Sequence, residues 1–236
     1  MGHQHPRVIV ALDFDSSDAV FKFIDSVDLS TCAVKVGHEL FTRCGLGLVD
    51  ALVARRFDVF LDLKFHDIPN TVARACRAVA DHGVWMLNVH ALGGLRMMTA
   101  ARNALNSFSS RSPLLIAVTL LTSMGSHDLC AVGLSQGRED AARRLATLAY
   151  EAGLDGVVAA ASDVICIKQA CGDHFLAVTP GIRFVDDAHH DQIMVVTPQH
   201  AQRMGSDYLV VGRSITQAVD PQLRLHQLLT AIREDA

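Results

Sequence analysis

The chain lacks the features that mark nucleic-acid-binding proteins and disulfide-stabilised proteins. Only 19% of its 236 residues are charged, and its 21 Lys and Arg residues are scattered rather than run together, which excludes a basic nucleic-acid-binding face. Its six cysteines form no Cys-x-x-Cys and no Cys/His ligand spacing, so we expect neither a disulfide framework nor a structural zinc site. The composition favours a small-molecule partner and the reduced cysteines of a cytoplasmic protein.

Long hydrophobic runs are also missing. The longest apolar stretch, Leu114–Leu121, contains Thr119 and is too short to span a bilayer, so no membrane partner is expected. The run Val8–Leu12 is interrupted by Asp13 and is too short for a signal peptide. No Pro-rich or Ser-rich linker divides the chain. Because 50% of the residues are hydrophobic, residues 1–236 are predicted to form a single domain with a full core.

Short apolar, β-branched runs recur along the chain. They are Val8–Leu12, Ala33–Val36, Val59–Leu63, Trp85–Val89, Leu114–Leu120, Gly156–Ala159, Phe175–Val178 and Tyr208–Val211. Segments with helical periodicity lie between them, such as Ala73–Ala80 and Ala141–Ala152, and these end in glycine. Strands that alternate with helices, at about 30 residues per unit, predict an α/β fold with a parallel sheet, a (β/α)8 TIM barrel. An open doubly wound sheet is the alternative, but Gly45-Leu46-Gly47 lacks the third glycine of a dinucleotide fingerprint.

Polar residues follow most of these strands. In a TIM barrel the chemistry lies at the carboxyl ends of the strands, so their side chains are expected to meet. They are Asp13, Lys35, Asp62, Lys64, Asn88, His90, Thr122, Ser123, Thr179, Arg183 and Arg213. For Asn88, His90 and Thr179 we favour the simpler interpretation of a capped strand end. The group as a whole predicts one functional site.

The strongest pattern is an Asp-x-Lys-x-x-Asp array formed by Asp62, Lys64 and Asp67 directly after an apolar run. Strand alternation would put Asp62 and Lys64 on one face, about 6–7 Å apart along the chain. Pro69 suits the first turn of a helix, so Asp67 is expected in the strand-to-helix loop. A salt bridge that caps the strand is the alternative. However, charges are seldom buried unless paired, and a lysine between two carboxylates is favoured in the protonated form and can donate a proton.

A second pattern, Gly212-Arg213-Ser214, follows the apolar run Tyr208–Val211 and opens a predicted helix. Backbone amides and an arginine can converge there on an anion, at the phosphate position typical of strands 7 and 8 of a TIM barrel. The alternative is a surface arginine, which the helix dipole disfavours at a helix start. The segment from Phe184 to Gln192 is rich in Asp and His and is predicted to close over a ligand.

The string from Asp62 to Thr71, DLKFHDIPNT, resembles the signature of the orotidine 5′-phosphate decarboxylase family. The resemblance runs from about Val8 to Gln217. It implies the last step of UMP synthesis, decarboxylation of orotidine 5′-phosphate to UMP and carbon dioxide, with no cofactor and no metal. It also implies a homodimer whose two active sites are shared between the subunits.

The same resemblance implies a role for each matching residue. Lys64 would be the proton donor, with Asp62 facing the carboxylate of the substrate and Lys35 in the charge network. The expected catalytic set is Lys35, Asp62, Lys64 and Asp67. The expected substrate-binding set is Asp13 and Lys35 near the ribose, the signature residues Asp62, Leu63, Lys64, Phe65, His66, Asp67, Ile68, Pro69, Asn70 and Thr71, the pyrimidine contact Thr122, and the phosphate residues Arg183, Gln192, Gly212 and Arg213. Asp67, Ile68 and Thr71 would act across the dimer interface, and we interpret His66 as structural.

Two other functions remain open. A sugar-phosphate lyase or aldolase of the same superfamily would share the Asp-x-Lys-x-x-Asp array but use magnesium. The extended string His66–Thr71 and the segment Leu121–Ser123 favour the decarboxylase. A catalytically silent nucleotide-phosphate sensor is the third possibility, although a binding module gains nothing from burying three charges. The pair His189 and His190 has no third ligand at a sensible spacing, so no metal site is predicted there.

Overall fold

The computed structural model describes residues 8–184 and 196–234. Its eight parallel strands close into a barrel in sequence order, because the first strand pairs with both the second and the last. The strands are β1 (Val8–Ala11), β2 (Ala33–Val36), β3 (Val59–Phe65), β4 (Met86–His90), β5 (Leu114–Val118), β6 (Gly156–Val158), β7 (Leu176–Thr179) and β8 (Tyr208–Val211). The predicted TIM barrel is confirmed.

Helices surround the barrel and connect its strands. They are α1 (Ser17–Ser26), α2 (His38–Ala54), α3 (Pro69–Ala80), α4 (Gly94–Leu105), α5 (Ser126–Ala131), α6 (Arg138–Glu151), α7 (Ala161–Cys171), α8 (Pro198–Arg203), α9 (Arg213–Thr216) and α10 (Pro221–Glu234). Pro69 occupies the first turn of α3 as predicted, where its missing amide hydrogen leaves no bond unmade. Gly83 and Gly153 follow α3 and α6 with φ of 72° and 75°, a left-handed conformation that ends a helix.

Several boundaries differ from the sequence prediction. β3 continues past Leu63 to Phe65, and its register against β4 shifts between Leu61 and Phe65. The predicted loop Asn106–Ser112 contains a 3-10 helix at Asn106–Arg111, and the insertion after β5 contains α5. Within the described part of the chain, no helix has both the length and the apolar character that crossing a membrane requires.

Side-chain alternation gives the barrel two apolar layers. One set of strand residues packs outward against the helices, and a second, smaller set fills the barrel interior. The interior set is Ile9, Ala11, Ala33, Phe60, Met86, Ile116, Val178, Tyr208 and Val210. Two residues beyond Ala11, Ala33, Phe60 and Met86 the sequence has Asp13, Lys35, Asp62 and Asn88. The alternation therefore stacks a polar layer on the interior core at the carboxyl ends of β1 to β4.

Candidate active site

A pocket of about 230 Å³ lies at the carboxyl ends of the strands. Its floor is apolar, and its wall carries charged and polar groups. The floor is formed by Ala11, Phe60, Val118, Val158 and Val210, and the wall includes Asp13, Lys35, Asp62, Lys64, Thr122, Arg183, Gly212 and Arg213. The pocket thus brings together predicted site residues from β2, β3 and the segments after β1, β5, β7 and β8.

Charges of alternating sign run along one wall of this pocket. The Lys35 Nζ atom lies 3.5 Å from Asp13 Oδ1 and 3.4 Å from Asp62 Oδ2. The Lys64 ammonium donates a hydrogen bond of 2.7 Å to Asp62 Oδ1. The order is therefore anion, cation, anion, cation, and Lys64 stands at one end.

Asp62 has a lowered pKa despite its location. Burial alone would raise the pKa of this carboxyl, but the positive charges of Lys35 and Lys64 and hydrogen bonds from Lys64 and Asn88 outweigh burial. The net shift keeps Asp62 ionised. Its negative charge is therefore a fixed part of the site.

The backbone at Lys64 is unusual. Its φ of 50° lies in the left-handed region, which residues other than glycine, asparagine and aspartate seldom adopt. Such a conformation costs about 1–3 kcal/mol and persists only when the surrounding structure imposes it. Here it coincides with the register shift of β3, and the Lys64 amide donates a 2.7 Å hydrogen bond to Asn88 Oδ1 instead of to a strand carbonyl. The contact between Asp62 and Lys64 thus arises from an irregular strand and not from the regular alternation that the sequence suggested.

Asn88 is a member of this array, which the sequence interpretation of a capped strand end missed. Its side chain is fully buried and donates from Nδ2 to Asp62 Oδ1 at 2.7 Å while accepting from Lys64. A signal was present, because Asn88 follows the interior residue Met86 by two positions, as Asp62 follows Phe60. For the other two residues the simpler interpretation holds: Thr179 Oγ1 pairs with Ser206 Oγ at 2.7 Å, and His90 Nδ1 accepts from the Leu92 amide at 3.3 Å.

Asp67 lies in the loop before α3, as predicted, but apart from Lys64. Its exposed carboxylate accepts a hydrogen bond of 2.6 Å from the Ile68 amide. Within residues 8–184 and 196–234, Asp67 makes no ion pair. The expectation that Lys64 lies between two carboxylates is therefore not met inside one chain, where Asp62 is the only carboxylate in contact with it among the described residues.

The remaining signature residues surround the array without lining the pocket. Leu63 and Phe65 pack against the outer apolar layer, and the His66 ring stacks on His90 at a centroid distance of 5.3 Å. Pro69, Asn70 and Thr71 form the first turn of α3. Ile68, which precedes them, is 67% exposed.

Another part of the pocket is suited to an anion. Arg213 begins α9 directly after Gly212, and both line the pocket with Arg183. Arg183 is buried and donates to the Ile182 carbonyl at 2.9 Å, which fixes its guanidinium at the pocket wall. A Cβ at Gly212 would lie 3.1 Å from Asp13 Oδ2, so glycine leaves room for the Asp13 carboxylate beside the end of β8. Gln192 lies outside the described residues.

In the described ranges, the His, Cys, Asp and Glu side chains form no group of three that could hold a metal ion. His189 and His190 lie outside those ranges.

Comparison with known proteins identifies the family. The family model described as "Orotidine 5'-phosphate decarboxylase / HUMPS family" matches residues 6–228. The chain belongs to this family. It is 54% identical over 230 residues to the orotidine 5′-phosphate decarboxylase of Legionella pneumophila strain Paris, covering 98% of this chain and 99% of the relative. The enzyme of the same name from Chromobacterium violaceum is 55% identical over 221 residues, 94% of this chain and 89% of the relative.

Solved structures agree with the family assignment. The crystal structure of orotidine 5′-phosphate decarboxylase from Lactobacillus acidophilus superimposes with a TM-score of 0.83 at 36% identity, covering 97% of this chain and 99% of that one. An uncharacterized conserved protein from Geobacillus kaustophilus gives a TM-score of 0.84 at 41% identity, with 95% and 99% covered. The recognition made from the string Asp62 to Thr71 is confirmed.

His90 gives the first testable prediction. Burial, followed by the neighbouring charges of His66 and Lys64, lowers the pKa of His90 from 6.5 to about 4. Between these two pH values His90 is therefore neutral in the folded protein and protonated in the unfolded chain. The free energy of unfolding should therefore fall as the pH drops from 6.5 to 4. We expect His90→Asn, which keeps an acceptor for the Leu92 amide, to reduce this acid dependence in urea titrations.

The matched control is His127→Asn, which removes an exposed histidine. It should keep the acid dependence of the unmodified protein. Equal acid dependence in the His90→Asn variant and the unmodified protein would contradict the prediction.

Proposed function

We propose that this protein decarboxylates orotidine 5′-phosphate to UMP and carbon dioxide, the last step of UMP synthesis, without a cofactor. The observation that carries the proposal is the alternating array in the pocket, which ends in the Lys64 ammonium hydrogen-bonded to Asp62. The family match and the relatives at 54% and 55% identity support it.

The array suits the chemistry of this reaction. When the bond between ring carbon 6 and the carboxylate breaks, carbon dioxide departs and the electron pair stays on carbon 6. No neighbouring carbonyl delocalises that charge as an enolate, so a fixed cation must stabilise it. Lys64 supplies the cation and then transfers a proton from Nζ to carbon 6, which gives UMP and a neutral amine that regains a proton from solvent. Asp62, ionised and facing the substrate carboxylate, favours its departure.

The rest of the pocket suits a nucleotide. An apolar floor accommodates the pyrimidine ring, with Thr122 at its edge and Asp13 and Lys35 near the ribose hydroxyls. Arg213, Gly212 and Arg183 bind the phosphate, and binding energy from this remote group helps to align the reacting end. We assign residues 1–236 to one phosphate-binding domain. The six free cysteines favour a cytoplasmic location.

We further propose a homodimer with shared active sites. Lys64 has one carboxylate partner, Asp62, among the described residues of its own chain, and Asp67 projects from the loop before α3 without an ion pair in that same part of the chain. The nearby apolar residues Ile68, Leu92 and Leu95 are exposed by 67%, 44% and 41%, which favours a partner over this face. In a two-fold dimer, Asp67 of each subunit would complete the array of the other.

Turnover of orotidine 5′-phosphate is the direct test. We expect its ultraviolet absorbance to change to that of UMP on adding the purified protein, at an equal rate with and without excess EDTA. The array itself supplies the cation, so no added metal should be needed. Activity that is abolished by EDTA and restored by magnesium would instead place the protein with the sugar-phosphate lyases of this superfamily.

Two variants separate chemistry from binding. Lys64→Ala should lower kcat by at least roughly 100-fold while UMP still binds, because it removes the proton donor. Arg213→Ala should mainly weaken UMP binding, by roughly 10- to 100-fold, and leave uridine binding unchanged because uridine has no phosphate. Calorimetric titration with UMP and uridine measures binding, and Arg233→Ala, at an exposed position in α10, is the control. Near-normal kcat for Lys64→Ala would remove this lysine from the mechanism.

Mixing two inactive variants tests the shared site. If Lys64 and Asp67 of one site come from different subunits, a dimer of Lys64→Ala with Asp67→Asn has one site with both defects and one with neither. Random reassortment makes about half the dimers mixed, so roughly a quarter of the activity should return. Activity is measured after subunit exchange, which native mass spectrometry verifies. No recovery after verified exchange would show that Asp67 serves its own chain.

A further inference from the structure

We infer that Asn88 is a positioning residue for the decarboxylation, because its side-chain amide holds both the Lys64 backbone and the Asp62 carboxylate in place. This inference rests on the proposed function. Asn88 lies beneath the array, on β4, and is not among the residues that line the pocket. It therefore acts on the substrate through Asp62 and Lys64 and not by contact.

The two hydrogen bonds of Asn88 go to different parts of the array. Its Oδ1 accepts from the Lys64 amide at 2.7 Å, and its Nδ2 donates to Asp62 Oδ1 at 2.7 Å. The same Asp62 oxygen accepts the Lys64 ammonium at 2.7 Å. The side-chain amide of Asn88 thus holds two groups: the backbone of Lys64, the proton donor, and the Asp62 carboxylate, which orients the Lys64 ammonium.

The hydrogen bond from the Lys64 amide to Asn88 Oδ1 explains how Lys64 keeps a left-handed backbone. Its amide hydrogen points out of the strand ladder at the register shift of β3 and would have no acceptor in an apolar barrel wall. The fully buried Asn88 supplies that acceptor. Loss of the bond would let β3 relax towards regular pairing, which moves Lys64 Nζ away from Asp62.

The hydrogen bond from Asn88 to Asp62 requires a donor at position 88, while the bond from Lys64 requires an acceptor there. Few side chains provide both. Leucine of similar volume offers neither, and an ionised aspartate keeps the acceptor but loses the donor and repels Asp62. A protonated aspartate restores both, with its carbonyl accepting from Lys64 and its hydroxyl donating to Asp62. In the variant Asn88→Asp, both hydrogen bonds can therefore form only when the new carboxyl is protonated, so its positioning of Lys64 and Asp62 should depend on pH.

The test measures kcat for Asn88→Ala, Asn88→Asp and the unmodified protein from pH 5 to pH 9. Each kcat is expressed per UMP-binding site, so that misfolded protein does not contribute. Asn88→Ala should lower kcat by roughly 10- to 100-fold at all pH values and change the Kd for UMP by less than about threefold. For Asn88→Asp, the ratio of its kcat to that of the unmodified protein should rise as the pH falls. The charged and titratable groups around the new carboxyl, Asp62, Lys35, Lys64 and the nearby His90, are present in all three proteins.

Ser206→Ala is the matched control, because it also removes one buried neutral hydrogen bond, the 2.7 Å contact with Thr179, away from the array. Its kcat should stay within about threefold of the unmodified protein. If Asn88→Ala does not fold, the pH dependence of kcat for Asn88→Asp tests the inference by itself. A kcat ratio for Asn88→Asp that stays constant with pH, or a loss of UMP affinity as large as the loss of kcat, would overturn the inference. Absence of turnover in the unmodified protein and in Ser206→Ala would instead overturn the proposed function.

Discussion

Asp62 places a negative charge on the wall of the barrel, where a carboxylate is stable only if cations and hydrogen-bond donors surround it. Lys35, Lys64 and Asn88 provide these partners from β2, β3 and β4. Each partner is in turn held at its position by Asp62, so the network is mutual. Removing one partner would leave the others with uncompensated buried polar groups, which costs more than the lost bond alone.

The closed barrel makes this network possible. Parallel strands present their side chains alternately inwards and outwards, and the inward-facing apolar residues form one interior core. Asp13, Lys35 and Asp62, two positions beyond interior residues of their strands or strand ends, then line the pocket from a rigid backbone, and Asn88 supports them from beneath. Because the apolar core below fixes these positions, ionic groups meet in a defined order, and little side-chain entropy remains to be lost when substrate binds.

Much of this arrangement could be predicted from the sequence. The strand and helix alternation gave the barrel, and the charges of Asp62 and Lys64 after an apolar run indicated the site. Asn88 was missed because a polar residue at a strand end, weighed alone, is usually a cap. The left-handed backbone of Lys64 could not be predicted, because it depends on a hydrogen bond to a residue 24 positions away, and no local preference of lysine indicates it.

The pairing of β1 with β8 has a consequence for how the protein is made. Asp13 stands beside Gly212, and these two sides of the pocket come from strands that are almost the whole chain apart. During synthesis the ribosome releases β1 to β7 first, and the seam of the barrel stays open until Tyr208–Val211 has emerged. A nascent chain at that stage therefore holds the array of Lys35, Lys64 and their carboxylates without Gly212 and Arg213. The pocket is complete only when the last strand closes the ring.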